Sequence, residues 1–312
     1  MLEPHNPRPH TALSTPRPPS VSELPRVWID GELRPITDAP CSPLAHGLHY
    51  GTGVFEGIRS YATRSGAAVF RLADHLARMA EGAAVLAMDF DVERVTAGVL
   101  ATLRANQLRD AYVRPISFYA AGGLGLDVEP LRASHLVAAM PWTSHLGAEA
   151  AAVGVTLRTS SWSRNPASSL PPLKLCGGYV NSILAKREAA LHGCDEALFV
   201  DASGFVVEAT GENVFMVAGG RVTAVRHPDA LPGITRATLI ELSGADERPV
   251  TRAELAAADE IFLTGTSAEV TAVREFDGRR LGEGPITREL ARLYQAVVRG
   301  ELGRERGWTT EV

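Results

Sequence analysis

Cysteine is scarce. The chain has three in 312 residues, Cys41, Cys176 and Cys194, an odd number without paired spacing. That argues against a disulfide framework and fits a reducing compartment, read here as the cytoplasm. Long apolar runs are missing too: none approaches the ~20 residues that span a bilayer. The first residues carry prolines and polar groups where a signal peptide would carry an apolar core. Positive charge is not in excess. Against 36 Asp and Glu there are 31 Lys and Arg, a net charge of -5, which gives no footprint for nucleic acid or an anionic membrane. The nine histidines form no metal spacing. His46 and His49 stand close together without a third ligand and read as hydrogen-bonding structural residues, so no metal is expected. What remains is an ordinary globular composition, 45% hydrophobic and 21% charged, on a chain long enough for two domains.

Residues 1–24 are rich in Pro, Ser and Thr. Such a segment buries too little apolar surface to offset its ordering entropy and is expected to be a disordered tail. Structure should begin at the short strand Val27-Trp28-Ile29, followed by an Asp30-Gly31 turn. Val54 to Arg59 reads as one strand, Asp74–Ala87 and Val92–Leu103 as helices, and Ala111–Phe118 and Leu136–Met140 as strands. The composition turns loop-like after Pro141. These features define a small α/β domain over 25–140, an interdomain loop over 141–150, a larger domain over 151–303 and a tail over 304–312. The larger domain reads as a strand at Gly154–Thr159, a helix at Val180–His192, and strands at Glu196–Asp201, Phe205–Glu208 and Asn213–Val217. A helix follows from Leu231 to about Leu242, then a strand at Ile261–Leu263. An amphipathic helix over Ile286–Arg299 closes the domain on its exterior. No internal repeat is present.

The chemistry centres on SLPPLKLCGGYVNSILAKRE, residues 169–188. It sets one lysine, Lys174, among Leu173, Leu175, Cys176 and two glycines, with Tyr179 five residues on. Burying an ammonium is costly, so a lysine held there is expected to have a lowered pKa and to act as a nucleophile. The bland alternative is a lysine on an ordinary loop leading into a helix. Other stretches ask for an anion. The helix opening at Leu231-Pro232-Gly233-Ile234-Thr235 offers free N–H groups. The turn Thr264-Gly265-Thr266-Ser267-Ala268 is a second cradle. Arg78 shares a helix face with His75 and can present its planar fork to a phosphate. Tyr112 and Arg114 alternate onto one face of a strand and can hold a carboxylate. Glu208 ends a strand just before Ala209-Thr210-Gly211. A lysine, an anion cradle and a carboxylate for a pyridine nitrogen are together what pyridoxal 5′-phosphate requires. The glycines around residue 51 have the wrong spacing for a dinucleotide fingerprint, which removes a nicotinamide-dependent enzyme.

The chain resembles the fold-type IV pyridoxal-phosphate enzymes, and among them the branched-chain amino acid aminotransferase family. The resemblance runs from about Val27 to Glu301. It is carried by HYGTGVFEGIR, RLADHLARM, AYVRP, GLGLD, PWTSHLGAEA, KLCGGYVNSILAKREA, EATGENVF, LPGITR and TGTSAE. It implies a two-domain α/β (α+β) fold, a small α/β domain beside a larger pseudo-barrel. It also implies that leucine, isoleucine or valine exchanges its amino group with 2-oxoglutarate by ping-pong kinetics. Lys174 would take the cofactor aldehyde as an imine and shuttle the proton. Tyr179 would donate to the phenolic oxygen, and Glu208 would pair with the ring nitrogen. Arg78, Ile234, Thr235, Gly265 and Thr266 would hold the phosphate, and Leu231 would pack on the ring. Phe55, Gly57, Trp142 and Gly211 would line the substrate. Tyr112, Thr266 and the Ser267 backbone would take the α-carboxylate, and Arg114 the distal carboxylate of glutamate. Tyr50, Leu124 and Leu126 fall where the family lends residues across a dimer, so a homodimer or higher homo-oligomer is implied.

Three departures touch substrate choice. Gly178 stands where many relatives carry Asn, Ser267 where Ala is common, and the helix after LPGITR is short. They leave open a related activity on a D-amino acid, on an aromatic or non-proteinogenic amino acid, or on aminodeoxychorismate. A ligand-binding protein that kept the fold without catalysis is the reading of another class. The presence of Lys174, Tyr179 and Glu208 speaks against it.

Overall fold

The structure, a computed structural model, describes residues 26–39, 42–142, 153–282 and 284–312. The proline-rich stretch 1–24 and most of the expected 141–150 loop lie outside these residues. The strands in chain order are β1 (Val27–Ile29), β2 (Glu32–Arg34), β3 (Gly53–Phe55), β4 (Ile58–Thr63), β5 (Gly66–Phe70), β6 (Ala111–Phe118) and β7 (Ser134–Pro141). After the gap come β8 (Val155–Thr159), β9 (Glu196–Val200), β10 (Val206–Ala209), β11 (Asn213–Ala218), β12 (Arg221–Val225), β13 (Asp246–Arg248), β14 (Glu260–Gly265), β15 (Glu269–Phe276), β16 (Arg279–Arg280) and β17 (Thr309–Glu311). The helices are α1 (His46–Tyr50), α2 (Leu72–Val85), α3 (Val92–Ala105), α4 (Tyr179–Leu191), α5 (Ile234–Ser243), α6 (Arg252–Ala257) and α7 (Pro285–Val298).

The strands form two sheets. The first runs β17-β5-β4-β6-β7-β1-β2, with β3 also on β6, and its pairs are antiparallel. The second runs β10-β9-β8-β15-β14-β11-β12-β13, with β16 on β15. Its β8–β9, β8–β15 and β12–β13 pairs are parallel. Local chemistry sets the helices. Asp91 caps α3 by accepting the Arg94 N–H at 3.0 Å, and Val95, Val99, Thr102 and Leu103 recur on its buried face. α2 buries Leu76 and Met79 beside them, and both helices cover one face of the first sheet around Ile58 and Val113. A separate core joins the two sheets. Tyr61 and Phe70 of the first pack with Phe215 and Phe262 of the second, under Leu239 of α5 and Leu290 and Tyr294 of α7. Among the described residues no helix is long and apolar enough to cross a membrane.

Two features differ from the sequence reading. The strand expected over Val54–Arg59 is broken, because Glu56 and Gly57 separate β3 from β4. The Glu56 side chain is fully buried, and Gly57 abuts a tyrosine of β6. The expected tail 304–312 is not a tail. Its residues Thr309–Glu311 are the edge strand β17, pairing with β5 of the first sheet. Trp308 stacks edge-on to Phe70 at 6.1 Å and under the Arg71 guanidinium at 4.9 Å. Its carbonyl accepts the Arg71 N–H at 2.6 Å, at the start of α2. The chain end therefore belongs to the N-terminal sheet.

Candidate active site

The lysine loop is pinned to β3 before any side chain acts. The Phe55 N–H donates to the Lys174 carbonyl at 3.2 Å, Val54 and Leu175 form an isolated bridge, and the Gly177 N–H donates to the Gly51 carbonyl at 3.1 Å. Gly51 has φ of 66°, and a Cβ there would meet the Gly177 Cα at 2.6 Å, so a side chain is excluded. The half-buried Lys174 then projects between two rings. Its Nζ lies 4.7 Å from the centre of Phe55 and 5.0 Å from that of Tyr179, and donates to Tyr179 Oη at 2.7 Å.

Lys174 faces a cleft whose far end is built for an anion. Arg78, Gly233, Ile234, Thr235, Thr264, Gly265, Thr266 and Ser267 line it. The N-terminus of α5 has Gly233 as its cap residue and no side-chain cap, and among the described residues its first N–H groups have no partner. Thr264 is buried, and its Oγ1 has no hydrogen-bond partner among the described residues. An orphaned buried hydroxyl beside a free helix start and an arginine fits a phosphate. Gly233 is obligatory, since a Cβ there would fall 1.9 Å from Asn213 Oδ1.

Glu208 lies deeper. Its Oε1 is 2.8 Å from Arg164 Nε, while its Oε2 accepts from the Leu231 N–H at 3.0 Å and from Asn213 Nδ2 at 3.4 Å. Burial pushes this carboxyl up, against the pull of Arg164 and the Leu231 N–H. Asn213 also donates to the Leu231 carbonyl at 2.9 Å. It thereby ties the carboxylate to the segment that leads into α5.

On the other side of Lys174 opens a cavity of ≈ 770 Å³ with Phe55, Tyr112, Arg114, Met140, Trp142 and Tyr179 among its walls, a size suited to a small ligand. Arg114 Nη2 donates to Tyr112 Oη at 2.7 Å, and the guanidinium lies 4.6 Å from the Phe55 ring. Its buried Nε has no hydrogen-bond partner among the described residues. Gly57 permits this arrangement: a Cβ there would sit 2.0 Å from Tyr112 Oη. Tyr112 is pinned by Arg114 and stacks against Trp142 at 5.1 Å, so it has little room to yield. Gly57→Ala should therefore displace the phenol rather than unfold the chain. We expect kcat/KM to fall on the order of 10²-fold, as for a small misplacement of a substrate-positioning group, with Tm nearly unchanged. A large loss of Tm, or unchanged kinetics, would contradict this.

The same cavity reaches a buried charge cluster. Lys186 Nζ pairs with Glu196 Oε2 at 2.5 Å, and Glu196 Oε1 accepts from Thr210 Oγ1 at 2.5 Å. Next to them Glu212 accepts the Gly211 N–H at 3.2 Å. Burial first, and the Glu196 charge second, push Glu212 up to about 8. A carboxyl whose folded pKa is raised favours folding below its ordinary value and loses that advantage as pH rises through the folded one. Glu212→Gln mimics the protonated form. It should match the parent in Tm only below the ordinary carboxyl value of 4.5, gain on it as pH rises from there, and hold a steady lead above about pH 8. A constant Tm difference across a pH series of melting curves would refute the assignment.

The structure thus gathers Lys174, Tyr179, Arg78, Leu231, Ile234, Thr235, Gly265, Thr266, Phe55, Gly57, Tyr112, Arg114, Trp142, Gly211 and Ser267 around two adjoining spaces. Glu208 stands behind them. Tyr50, Leu124 and Leu126 line neither space. They are exposed, with Tyr50 Oη donating to the Leu124 carbonyl at 2.6 Å. His46 and His49 make hydrogen bonds to Thr52, Gly125 and Pro43, in keeping with a structural role. The sequence reading missed Arg164, Asn213 and Glu56, and it put Thr264 in an anion cradle without giving its hydroxyl a role. Asn213 and Glu56 lie inside stretches it had singled out, whereas Arg164 sits in a polar loop with no pattern to mark it.

Comparison with known proteins agrees in kind. A family model described as amino-transferase class IV matches residues 53–276. A branched-chain-amino-acid aminotransferase of Pseudomonas aeruginosa is 40% identical over 297 residues, covering 92% of this chain and 97% of that protein. A solved branched-chain aminotransferase of Thermoproteus uzoniensis with norvaline superposes with a TM-score of 0.86 at 39% identity, covering 91% of this chain and 98% of that one. The PLP-form of the branched-chain amino acid aminotransferase of Thermobaculum terrenum gives 0.84 at 32% identity, covering 92% and 98%.

Proposed function

This chain belongs to the class IV aminotransferases, and from that premise we propose that it moves the amino group of leucine, isoleucine or valine to 2-oxoglutarate with pyridoxal 5′-phosphate as cofactor. The fold is that of the fold-type IV enzymes. The observation that carries the reading is Lys174 Nζ, 2.7 Å from Tyr179 Oη, facing a cleft that ends in Arg78, Thr264 and the free start of α5. When bound, the cofactor supplies an aldehyde that condenses with amines and a pyridinium ring that accepts electrons from the Cα–H bond.

The chain's own groups divide the remaining work. Arg78, the Ile234 and Thr235 N–H groups, Gly265, Thr266 and the unpartnered Thr264 hydroxyl hold the phosphate. Glu208, kept beside Arg164, holds the proton on the ring nitrogen, and Leu231 packs against the ring. Lys174 Nζ takes the substrate Cα proton and returns it, with Tyr179 Oη fixing where the amine stands. Tyr112, Thr266 and the Ser267 backbone orient the α-carboxylate. Phe55, Met140 and Trp142 give the aliphatic side chain an apolar wall, while the free Nε of Arg114 offers a donor to the distal carboxylate of glutamate. One pocket thus serves both partners, because Arg114 lies against aromatic rings when no carboxylate is present.

The exposed Leu44, Leu48, Leu124 and Leu126 support a homodimer in which Tyr50, Leu124 and Leu126 border the partner's site. The test of function is an absorbance spectrum. A band near ~410 nm should move to ~330 nm with L-leucine and return with 2-oxoglutarate. A protein that stays colourless after addition of cofactor would defeat the reading. One that answers D-alanine or another amine and ignores leucine would keep the cofactor and change the substrate.

A further inference from the structure

The geometry points to Glu56 as a positioning residue that sets how Arg78 grips the cofactor phosphate, an inference that rests on the phosphate site assigned above. Glu56 is fully buried. Its Oε1 accepts from Arg78 Nε at 2.7 Å, and its Oε2 from Arg78 Nη2 at 2.9 Å and His75 Nδ1 at 2.8 Å. Burial pushes this carboxyl up, but Arg78 and His75 outweigh it and hold it at about 2. Glu56 is therefore an anion at neutral pH. His75, which burial keeps from charging, carries on Nδ1 the proton it donates.

The bidentate pair fixes the plane of the guanidinium. Arg78 Nη1 donates to the Pro232 carbonyl at 2.7 Å, one residue before the cap of α5. Of the five N–H groups of an arginine, two are then left for a ligand. Both belong to terminal nitrogens, on a side chain that lines the cleft with Ile234, Thr235 and Thr264. Glu56 lines neither the cleft nor the larger cavity, and of its two side-chain partners Arg78 lines the cleft and His75 does not, so it reaches the site through Arg78. Its neighbours share this logic. Phe55 holds the Lys174 carbonyl, and Gly57 clears space for Tyr112 Oη. Three consecutive residues at the break between β3 and β4 thus govern the lysine, the phosphate arginine and the substrate phenol.

The test separates phosphate binding from general integrity. Apoenzyme is titrated with pyridoxal 5′-phosphate and with pyridoxal, which has the same ring and aldehyde but no phosphate, following cofactor absorbance. Parent, Glu56→Gln, Arg78→Ala and the double variant are compared, with apoenzyme Tm as the check of folding. Glu56→Gln should lose affinity for the phosphorylated ligand on the order of tenfold to a hundredfold, as when an orienting outer partner is removed. Its affinity for pyridoxal should hold. In the Arg78→Ala background the same change should add nothing, since both act in one interaction. Equal weakening of both ligands, or additive losses, would overturn the proposal as a merely structural effect. Tighter phosphate-dependent binding would overturn it too, because Glu56 would then only be quenching the arginine charge. If Glu56→Gln does not fold, Glu56→Asp keeps the charge but is too short to span Nε and Nη2. It should lose part of the phosphate-dependent affinity, and full affinity there would sink the inference. A parent that binds pyridoxal as tightly as its phosphate would instead refute the phosphate site itself.

Discussion

Lys174→Ala is expected to lower turnover of L-leucine with 2-oxoglutarate by more than about 10⁴-fold, while the chain still folds and binds the cofactor. The reasoning is local. In the role proposed for it, Nζ both takes the aldehyde and carries the Cα proton, so one truncation would remove two functions. The lysine contributes little else: it is half-buried, and among the described residues it belongs to no core cluster and its Nζ donates only to Tyr179 Oη. Its carbonyl, which accepts from Phe55, is kept in the variant, so β3 and the loop stay joined. Cofactor affinity should fall less than turnover, because the anion cradle is untouched. Dialysis should strip the cofactor from the variant more readily than from the parent, and an added small amine should restore a trace of activity. Turnover within about tenfold of the parent would mean that another amine does the chemistry. The Lys186 ammonium, on the far wall of the same cavity, would be the first to examine.

How much of this was legible from the sequence depends on the range of each interaction. Lys174 and Tyr179 are five residues apart at a helix start, and Tyr112 and Arg114 two apart on a strand. Short-range spacing therefore placed both pairs together, and the structure joins each by a 2.7 Å hydrogen bond. The anion cradle was legible as two glycine-bearing turns, although nothing in the spacing brought β14 beside α5. The break at Glu56 was not legible. An apolar run with one acidic residue reads as a strand, and only a cation 22 residues later makes a buried carboxylate tolerable there. The edge strand β17 was hidden for a different reason. Thr309–Glu311 is short and polar, and it pairs through its backbone with a strand some 240 residues earlier, so no side-chain pattern reports it. Arg164 illustrates the same limit: its meaning comes wholly from Glu208, 2.8 Å away in space. What sequence reading supplied beyond this came from motif resemblance, which orders residues that physics alone leaves scattered.

Glu208→Gln tests the deepest part of the site and should be costly on two counts. The substitution keeps the shape and removes the charge. A neutral amide cannot hold a proton on the ring nitrogen as a carboxylate does, so the ring becomes a poorer electron acceptor. We expect kcat to fall on the order of 10²- to 10³-fold, comparable to removing one preorganised electrostatic partner of a transition state. KM should move less, since Glu208 lines no substrate wall. The second cost falls on the fold. Arg164 is largely buried and pairs with Glu208 at 2.8 Å, and removing one member of a buried ion pair leaves the other uncompensated, typically at about 3–5 kcal/mol. Two neighbours soften this, because Arg164 Nη1 also reaches Ser182 Oγ at 3.2 Å and Asn181 Oδ1 at 3.4 Å. The loss should therefore lie toward the lower end of that range and be read directly from chemical denaturation of the apoenzyme. The two effects are separable by adding the partner change. Arg164→Met in the Glu208→Gln background removes the stranded cation and should recover stability without recovering kcat. Recovery of both would make Glu208 a packing residue, and recovery of neither would show that the pair contributes nothing as a pair. Stability restored with catalysis still absent is the result expected of a carboxylate whose charge is used by the ring and whose burial is made possible by the arginine.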